Sequence, residues 1–282
     1  MNDKTYMAIR TTLCEIIKGT EWEGHVFLVG GCVRDEIMHH EIHDVDIAVS
    51  RPNGGIAFAV WLHEHNLLVR KRKPILFEHF GTAKFRLRAF PHEEIDSVQT
   101  RKGRYVYEEE PHPLENFGTI DEDAACRDLT INSLYLDVST GTLLDPTGQG
   151  LADIKAGVIR TPNIPDVSLR DNPMHILRCI RFSVKYNWQI SPTLFESMKR
   201  NVDIISEATR YRMTKELTSI MRLKHKDEAL GIIEQIGAMP VVEPYLEIVN
   251  MMIAQRKAMI RRKYCRQNRK AKKTSPKKNK QK

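Results

Sequence analysis

Residues 28–49 read LVGGCVRDEIMHHEIHDVDIAV, and this stretch decides the fold. A short apolar run, 26–29, stops at Gly30 and Gly31 and leads into a segment with apolar residues at helical spacing. A second apolar run, 45–49, follows a polar loop. Short apolar runs bounded by glycine or polar residues are typical of strands. The stretch therefore predicts a strand, a glycine turn, a helix and a second strand.

The glycine turn is a candidate phosphate site. Backbone N–H groups at the start of a helix attract anions, and Gly30 and Gly31 place such groups directly after a strand. Arg34, on the first turn of the predicted helix, adds a guanidinium group suited to phosphate. We therefore expect these three residues to hold a phosphate group.

Two aspartates mark the second strand. Asp44 and Asp46 are two residues apart, so both carboxylates point to the same face of a strand. Such a pair suits Mg²⁺, which is typically held by one or two carboxylates together with substrate phosphates. Bound Mg²⁺ activates an attacking hydroxyl and stabilises a leaving pyrophosphate. An Asp-x-Asp pair also occurs at solvated strand edges, and the nearby glycine turn is what favours metal binding.

The stretch 28–49 resembles the head motif of the nucleotidyltransferases that include tRNA CCA-adding enzymes and bacterial poly(A) polymerases. The shared pattern is GGxVRD, a loop and DxD. The resemblance extends from about residue 25 to about residue 248. It implies an α+β fold, with a mixed-sheet head of the polymerase-beta-like type followed by a helical neck. It also implies that the glycine turn holds nucleotide phosphate and that Asp44 and Asp46 bind magnesium.

Two later motifs add candidates to the site. Residues 95–101 look like the strand that carries a third carboxylate in this family, here Asp96. Residues 127–134 are similar to the family's RRDxTINAL segment, which contacts the nucleotide sugar, and imply that role for Arg127 and Asp128. Without the resemblance, Asp96 is a surface acid and the other two are a salt-bridged pair.

The segment PMHILRCIRF, residues 173–182, resembles the helix that reads the incoming base in this family. The chain departs from the family here, because Asn172 and His175 stand where the family usually has Asp and Arg. Asn172 is also a candidate N-cap of that helix. The choice between C and A is therefore expected to be looser or shifted. The residues implied in the nucleotide pocket are Asn172, His175, Arg178 and Arg181.

The chain divides into three predicted parts. Strands and helices are mixed over residues 1–148, which we expect to form the catalytic head. Helical patterns dominate residues 149–255, interpreted as a neck and a truncated body, and residues 256–282 are expected to be a disordered basic tail. The main predicted elements are helices over 5–20, 32–38 and 56–65, strands over 82–90 and 94–100, and a hairpin from 129 to 144.

Charge is distributed unevenly along the chain. Of 44 basic residues, 14 lie after residue 255, where there is no acid, which leaves 30 bases against 36 acids in the remainder. A basic segment of this kind often binds polyanions. We expect it to bind RNA, although a role in solubility alone is the alternative. The candidate RNA-binding residues are Arg261, Arg262, Lys263, Arg266, Arg269 and Lys270.

Composition excludes several classes of protein. No apolar run approaches the ~20 residues that cross a bilayer. Five scattered cysteines without a Cys-x-x-Cys pair argue against a disulfide framework and a zinc site. The N-terminus lacks the apolar core of a signal peptide, so the cytoplasm is the expected compartment and no membrane partner is expected.

The leading hypothesis is template-independent transfer of CMP and AMP, from CTP and ATP, to the 3′ end of RNA. Completion of the tRNA 3′ CCA end is the reaction that the resemblance favours. Poly(A) synthesis, or addition of CC or A alone, are the nearest alternatives. A non-catalytic RNA-binding protein is the alternative from another class. The pattern leaves the oligomeric state open.

Overall fold

A seven-stranded mixed sheet organises the first part of the chain. The computed structural model describes residues 1–70, 72–103 and 116–274. The strands lie in the order β3-β4-β5-β2-β1-β6-β7, with β2 and β5 parallel and the other pairs antiparallel. They are β1 Val26–Val29, β2 Val45–Val49, β3 Ile75–Phe77, β4 Thr82–Phe85, β5 Ile95–Gln99, β6 Tyr135–Asp137 and β7 Leu143–Leu144.

The two faces of the sheet are covered differently, and this difference creates the site. One face packs on α1 and α3 in a large apolar core that includes Leu13, Ile47 and Phe58. The other face carries a smaller cluster around Ala48 and Tyr135, which α4 covers only in part. Polar residues of this second face therefore border solvent where the cover ends. The helices of this part are α1 Asp3–Ile17, α2 Gly31–Ile37, α3 Gly54–Glu64 and α4 Ile120–Ala125.

The second part is almost entirely helical, as predicted. Its amphipathic helices bury a separate apolar core that includes Ile180, Leu217 and Ile233. Leu129 and Ile131 join this core although they precede residue 148. The boundaries predicted at residues 148 and 255 stay predictions. The elements are α5 Gly150–Ala156, β8 Val158–Ile159, α6 Pro165–Asp171, α7 Met174–Tyr186, β9 Gln189–Ile190, α8 Pro192–Arg200, α9 Arg210–Ile220, α10 Lys226–Gln235 and α11 Met239–Thr274.

Three predicted elements differ in extent from the structure. The expected first strand of the hairpin, over 129–138, forms a strand only at Tyr135–Asp137 and contains a short 3₁₀ helix, Thr130–Asn132, because Leu129 and Ile131 pack into the helical core. The strand predicted over 82–90 ends at Phe85, and only Leu87 forms a further bridge, to Leu68. The helix predicted to begin at Pro173, with Asn172 as its N-cap, begins instead at Met174 with Pro173 at the N-cap, yet Asn172 Oδ1 still accepts from the Met174 N–H at 3.2 Å.

The basic C-terminal segment continues the last helix of the structure. Helix α11 extends to Thr274, and the disorder predicted for residues 256–282 stays a prediction. Lys, Arg, Ala, Gln and Met are good helix formers, and the packed start of α11 supplies the nucleus for further turns. Arg261 is exposed on this helix. Arg262, Lys263, Arg266, Arg269 and Lys270 lie on the same helix, but their side chains are outside the described part, as are residues 275–282.

None of the helices within 1–70, 72–103 and 116–274 combines the length and the apolar character needed to span a bilayer.

Candidate active site

Two adjoining cavities lie between the sheet and the helical part. The carboxylate cavity, about 340 Å³, is lined by Gly30, Asp44 and Asp46 on the sheet side and by α7 opposite. The helix cavity, about 350 Å³, lies between α7 and α9 and is lined by Asn172 and His175. Arg127, Asp128 and Arg178 line both cavities. Gly31, Arg34 and Arg181 complete the set of sequence-predicted residues at the carboxylate cavity.

Gly30 forms the turn between β1 and α2. Its φ of +73° lies in the left-handed region, which favours glycine. A Cβ built on Gly30 would lie 3.5 Å from Nη1 of Arg127, so this guanidinium faces the turn closely. The backbone of the turn and a cation therefore border the same space.

The carboxylates of Asp44 and Asp46 stand at the edge of this space. Asp44 is exposed directly before β2, and Asp46 is partly buried within it. The pKa of Asp46 is raised to about 6, first by burial and then by the neighbouring charges of Asp96 and Asp44. A raised pKa means that the ionised carboxylate lacks sufficient positive charge nearby. The site therefore favours a bound cation.

Asp96 is placed differently from the other two aspartates. It lies opposite Asp46 in the parallel β2–β5 pair, on the same face. Its Oδ2 accepts a hydrogen bond from Lys84 Nζ at 2.7 Å, and Lys84 lies opposite it on β4. Burial alone would lower the pKa of Lys84, but the bond to Asp96 raises it above its usual range. Asp96 is absent from the described lining of both cavities, so its role as a third metal ligand stays a prediction.

The donor set fits a cation that takes part of its coordination from other oxygens. Across the described ranges, no group of three His, Cys, Asp or Glu side chains is arranged to hold a metal ion. Asp44 and Asp46 supply two carboxylates, and Mg²⁺ commonly completes such a site with water and substrate phosphate. The residues present therefore fit a divalent ion bound together with a phosphorylated ligand.

The opposite wall of the carboxylate cavity is basic. Arg178, Arg181 and Lys185 project from α7 at spacings of three and four residues and line this wall. The pKa of Lys185 is lowered, first by burial and then by the nearby Arg34 and Arg181. Crowded cations of this kind favour a bound anion. Sequence reasoning missed Lys185, although its spacing from Arg178 and Arg181 identifies the face.

Arg34 makes contacts within the protein, whereas the sequence predicted a contact with phosphate. Its guanidinium donates to both carboxylate oxygens of Asp35, at 2.8 and 2.9 Å, and also to Oδ1 of Asn132. The same group lies 5.1 Å from the ring centroid of Phe182 on α7. Arg34 thus joins α2 to α7, and its predicted contact with phosphate stays a prediction.

Arg127 is held by a network on α4 and β6. Its Nε and Nη2 donate to Asp123 at 3.1 and 2.9 Å, and Nε also donates to the Tyr135 hydroxyl at 2.9 Å. Although burial would lower it, the pKa of Arg127 is raised by Asp123 and Tyr135. The guanidinium therefore remains charged beside Gly30.

Asp128 positions Arg178 across the two cavities. Asp128 is buried, and its Oδ2 accepts from Arg178 Nε at 2.7 Å and from Nη2 at 2.5 Å. Asn132 Nδ2 donates to both of its oxygens, at 3.0 and 3.2 Å. Burial would raise the pKa of Asp128, but Arg178 and the field of His175 lower it strongly. In this arrangement Asp128 contacts the protein's own cation, and the sugar contact implied by resemblance stays a prediction.

His175 presents a defined tautomer to the helix cavity. It is buried, and burial is the main reason that its pKa is lowered to about 4, so the ring is neutral at pH 7. Its Nδ1 lies 3.0 Å from the Ser168 carbonyl oxygen and 3.3 Å from the Ser168 hydroxyl, which can accept as well as donate. Because a carbonyl oxygen only accepts, Nδ1 carries the proton and Nε2 is an acceptor.

Asn172 presents a hydrogen-bond donor, in contrast to the acceptor of His175. Its Oδ1 accepts from the Met174 N–H at 3.2 Å and from Arg212 Nη2 at 2.6 Å. The amide nitrogen Nδ2 is therefore the group that remains to donate to a ligand. The helix cavity thus combines a donor at Asn172 with an acceptor at His175.

Helix α9 contributes residues that are not among the predicted site residues. Tyr211, Arg212 and Lys215 line the helix cavity, and Tyr211 is 73% exposed. Glu216 pairs with Arg181 across the two helices. Apolar periodicity predicts that α9 is a helix, but it does not predict which helix α9 faces.

Comparison with known proteins identifies the first part of the chain. Residues 26–160 match the family described as the poly(A) polymerase head domain. Residues 26–160 belong to this family. The match includes the glycine turn, Asp44, Asp46 and the Arg127–Asp128 segment, and it stops before α7.

Curated relatives of this head-domain protein include two enzyme types. A tRNA nucleotidyltransferase of Schizosaccharomyces pombe is 31% identical over 239 residues, which are 80% of this chain and 47% of that protein. The mitochondrial CCA tRNA nucleotidyltransferase of Saccharomyces cerevisiae is 33% identical over 210 residues, covering 69% of this chain and 38% of the relative. Poly(A) polymerase I of Salmonella typhimurium is 31% identical over 208 residues, with coverages of 70% and 42%. The chain spans less than half the length of these relatives.

Solved structures agree with the head-domain assignment, and their similarity to this chain continues into the helical part. The CCA-adding enzyme of Thermotoga maritima, complexed with tRNA, superposes with a TM-score of 0.69 at 25% identity, over 85% of this chain and 52% of that one. A tRNA nucleotidyltransferase complexed with a primer tRNA and an ATP analogue gives a TM-score of 0.64 at 26% identity, over 83% and 62%. The predicted mixed-sheet head followed by helices is confirmed.

Proposed function

We propose that this chain transfers nucleotides from nucleoside triphosphates to the 3′-hydroxyl of RNA without a template, with the tRNA 3′ CCA end as the leading acceptor and CTP and ATP as donors. The observation that supports this function best is the carboxylate cavity. There Asp44 and Asp46 face Arg178, Arg181 and Lys185 across one space. Carboxylates opposite several cations match the opposite needs of a metal ion and a triphosphate.

The mechanism follows from the placement of charge. When bound, Mg²⁺ neutralises phosphate charge and lowers the pKa of an attacking hydroxyl. Asp44 and Asp46 would hold it, with Asp96 as the proposed third carboxylate. Arg178, Arg181 and Lys185 orient the triphosphate and stabilise the leaving pyrophosphate. The protein positions the reactants and forms no covalent bond with them.

The proposed function is tested by incubating the chain with tRNA that lacks its CCA end and with labelled CTP or ATP. We expect incorporation with wild type and none with Asp44→Ala. Addition of one to three nucleotides with a requirement for C supports CCA completion, whereas a long A ladder supports poly(A) synthesis. Incorporation of neither label into the RNA would contradict the proposal.

The hydrogen-bond donor of Asn172 and the acceptor of His175 in the helix cavity predict weak discrimination among bases. Cytosine and adenine offer an amine donor beside a ring acceptor, whereas uracil offers a keto acceptor beside a ring donor. The donor of Asn172 and the acceptor of His175 match C and A in one orientation of the base edge and U in the other. We expect the double variant Asn172→Asp, His175→Arg to raise the selectivity for CTP over UTP at least about tenfold.

This prediction is measured by competition between CTP and UTP at equal concentration, both in binding and in incorporation. The single variant His175→Gln is the control, since it removes the ring without supplying the arginine fork. An unchanged CTP/UTP ratio in the double variant argues against a base-reading role for these two positions.

For the basic end of α11 we propose contacts to RNA phosphate without base choice. Neutralising phosphates releases counterions, so log affinity falls linearly with log salt. Replacing the six candidate residues by Gln is expected to flatten that slope while leaving the affinity for CTP unchanged. Gln is a comparable helix former, so the variant keeps the helix. A slope equal to that of wild type shows that the segment does not bind RNA. The residues are Arg261, Arg262, Lys263, Arg266, Arg269 and Lys270.

The cytoplasm remains our proposed compartment. The relative from Saccharomyces cerevisiae is described as mitochondrial, so fractionation of cells that express this chain is the direct test.

A further inference from the structure

Strand β3, at one edge of the sheet, exposes large apolar side chains. Ile75 is 55% exposed and Phe77 is 39% exposed. These two residues alternate with Leu76, so they share one face of the strand. Exposed apolar groups that lie together on an edge strand are typical of a surface that binds a ligand or another macromolecule.

This surface lies on the same side of the sheet as the proposed metal site. Residues directly opposite each other on neighbouring strands share a face. Asp46 lies opposite Asp96, Asp96 opposite Lys84, and Lys84 opposite Ile75. Three strand intervals of about 4.8 Å place Ile75 roughly 14 Å from Asp46 along this row. A continuous path therefore leads from the carboxylate cavity to the exposed edge.

The edge is flanked by positive charge. A small cavity of about 140 Å³ beside Ile75 is lined by four basic side chains and one acidic one. Arg86 pairs with the acid, Glu94, at 3.2 Å, and Lys84 lies 3.5 Å from the same group. Basic groups beside exposed apolar and aromatic side chains are the combination that binds single-stranded nucleic acid. The four basic residues are Arg72, Lys73, Lys84 and Arg86.

We propose that this edge, formed by Ile75 and Phe77 with Arg72, Lys73 and Arg86, binds the unpaired nucleotides next to the 3′ end of the RNA acceptor. Phe77 and Ile75 contact base faces, and the basic residues contact the phosphates. The strand register supports this proposal, because it places the edge in line with Asp46 and Asp96 at a distance of a few nucleotides. It rests on the proposed function, since it needs an RNA 3′ end at the carboxylate cavity.

The test uses the full chain and a short single-stranded RNA with 4-thiouridine placed two or three positions from its 3′ end. Photo-crosslinks are expected to map to the peptide that contains 72–77. The variant Ile75→Ala, Phe77→Ala is expected to weaken RNA binding by roughly 5-fold to 30-fold, as loss of base stacking does. Phe77→Tyr is expected to bind within about twofold of wild type because it keeps an aromatic face.

Leu143→Ala is the matched control. Leu143 lies on β7, at the opposite edge of the sheet, and is 37% exposed. It is expected to leave RNA affinity unchanged. CTP affinity is measured for every variant and is expected to stay at the wild-type value, which separates loss of RNA contact from damage to the fold.

Two results would overturn the proposal. One is RNA affinity in the double alanine variant within twofold of wild type. The other is a wild-type dimer, seen by sedimentation, that the same variant converts to monomer without loss of RNA affinity, because the edge then joins two copies of this chain. Failure of the proposed function is distinguishable: no nucleotide would be incorporated, while the comparison of RNA affinities still decides whether the edge binds RNA.

Discussion

Asp46→Asn is expected to reduce nucleotide transfer about 1,000-fold, because a bound metal ion contributes several kcal/mol of transition-state stabilisation. The substitution conserves volume but removes the charge that a divalent ion requires. Transfer is measured as pyrophosphate release in single-turnover reactions with saturating Mg²⁺. The exposed Asp203 is the control position, and Asp203→Asn should retain wild-type activity. Activity of Asp46→Asn within tenfold of wild type contradicts the role.

The same substitution should stabilise the metal-free protein. The pKa of Asp46 is about 6 in the folded state and near 3.9 when unfolded, so the folded state binds the proton more tightly. Ionised Asp46 therefore costs stability, a cost that develops as pH rises from 4 to 6 and is complete above 6. Asn removes it, and we expect a gain of at most about 2–3 kcal/mol at pH 7.

Urea unfolding in EDTA at pH 4 and pH 7 measures this gain. The difference between variant and wild type should be small at pH 4 and present at pH 7. Added Mg²⁺ and CTP should stabilise wild type and not Asp46→Asn, since only the ionised site binds them together. Loss of stability in the metal-free variant at pH 7 argues that Asp46 serves the fold instead.

Local sequence patterns predicted the first half of the site because its residues are continuous in sequence. A strand, a glycine turn, a helix and a strand occupy residues 26–49, and the chain needs no distant partner to bring Gly30 near Asp46. The positive φ of Gly30 follows from glycine, and the position of Asp46 on one face of β2 follows from strand alternation.

The second half of the site depends on tertiary contacts that a single sequence does not encode locally. His175 is an acceptor only because Ser168 on α6 places its carbonyl oxygen against Nδ1. Asn172 is a donor only because Arg212, 40 residues later, occupies its oxygen. The 3₁₀ turn at Thr130–Asn132 replaced a predicted strand for the same reason, since burial against the helical core outweighed β propensity.

Asp128→Asn is expected to destabilise the fold by about 3 kcal/mol, because it leaves the partly buried charge of Arg178 without its ion-pair partner. Asp128 is 7% exposed, so the neutral Asn that replaces it stays buried beside Arg178 and cannot balance its charge. Arg178 borders both cavities, and its release should also lower the affinity for CTP. Urea unfolding and CTP titration measure the two effects.

The pH dependence distinguishes a lost ion pair from a general packing defect. The pKa of Asp128 is lowered in the folded state, so its ion pair stabilises the fold above the unfolded value near 3.9. The stability that Asp128 contributes is lost as pH falls below that value. The difference between wild type and Asp128→Asn should therefore be full at pH 7 and shrink steadily below pH 4.

Asp166 provides a matched control for this prediction. It pairs with Arg200 at 2.8 Å, but at the surface, where both side chains are well exposed. Water and salt screen such a pair, so Asp166→Asn should unfold at nearly the wild-type urea concentration. Equal destabilisation by the two substitutions would show that burial of Asp128 has no energetic consequence. A difference between the variants that stays constant from pH 7 to pH 3 would assign the effect to packing and remove Arg178 from the argument for a positioned triphosphate.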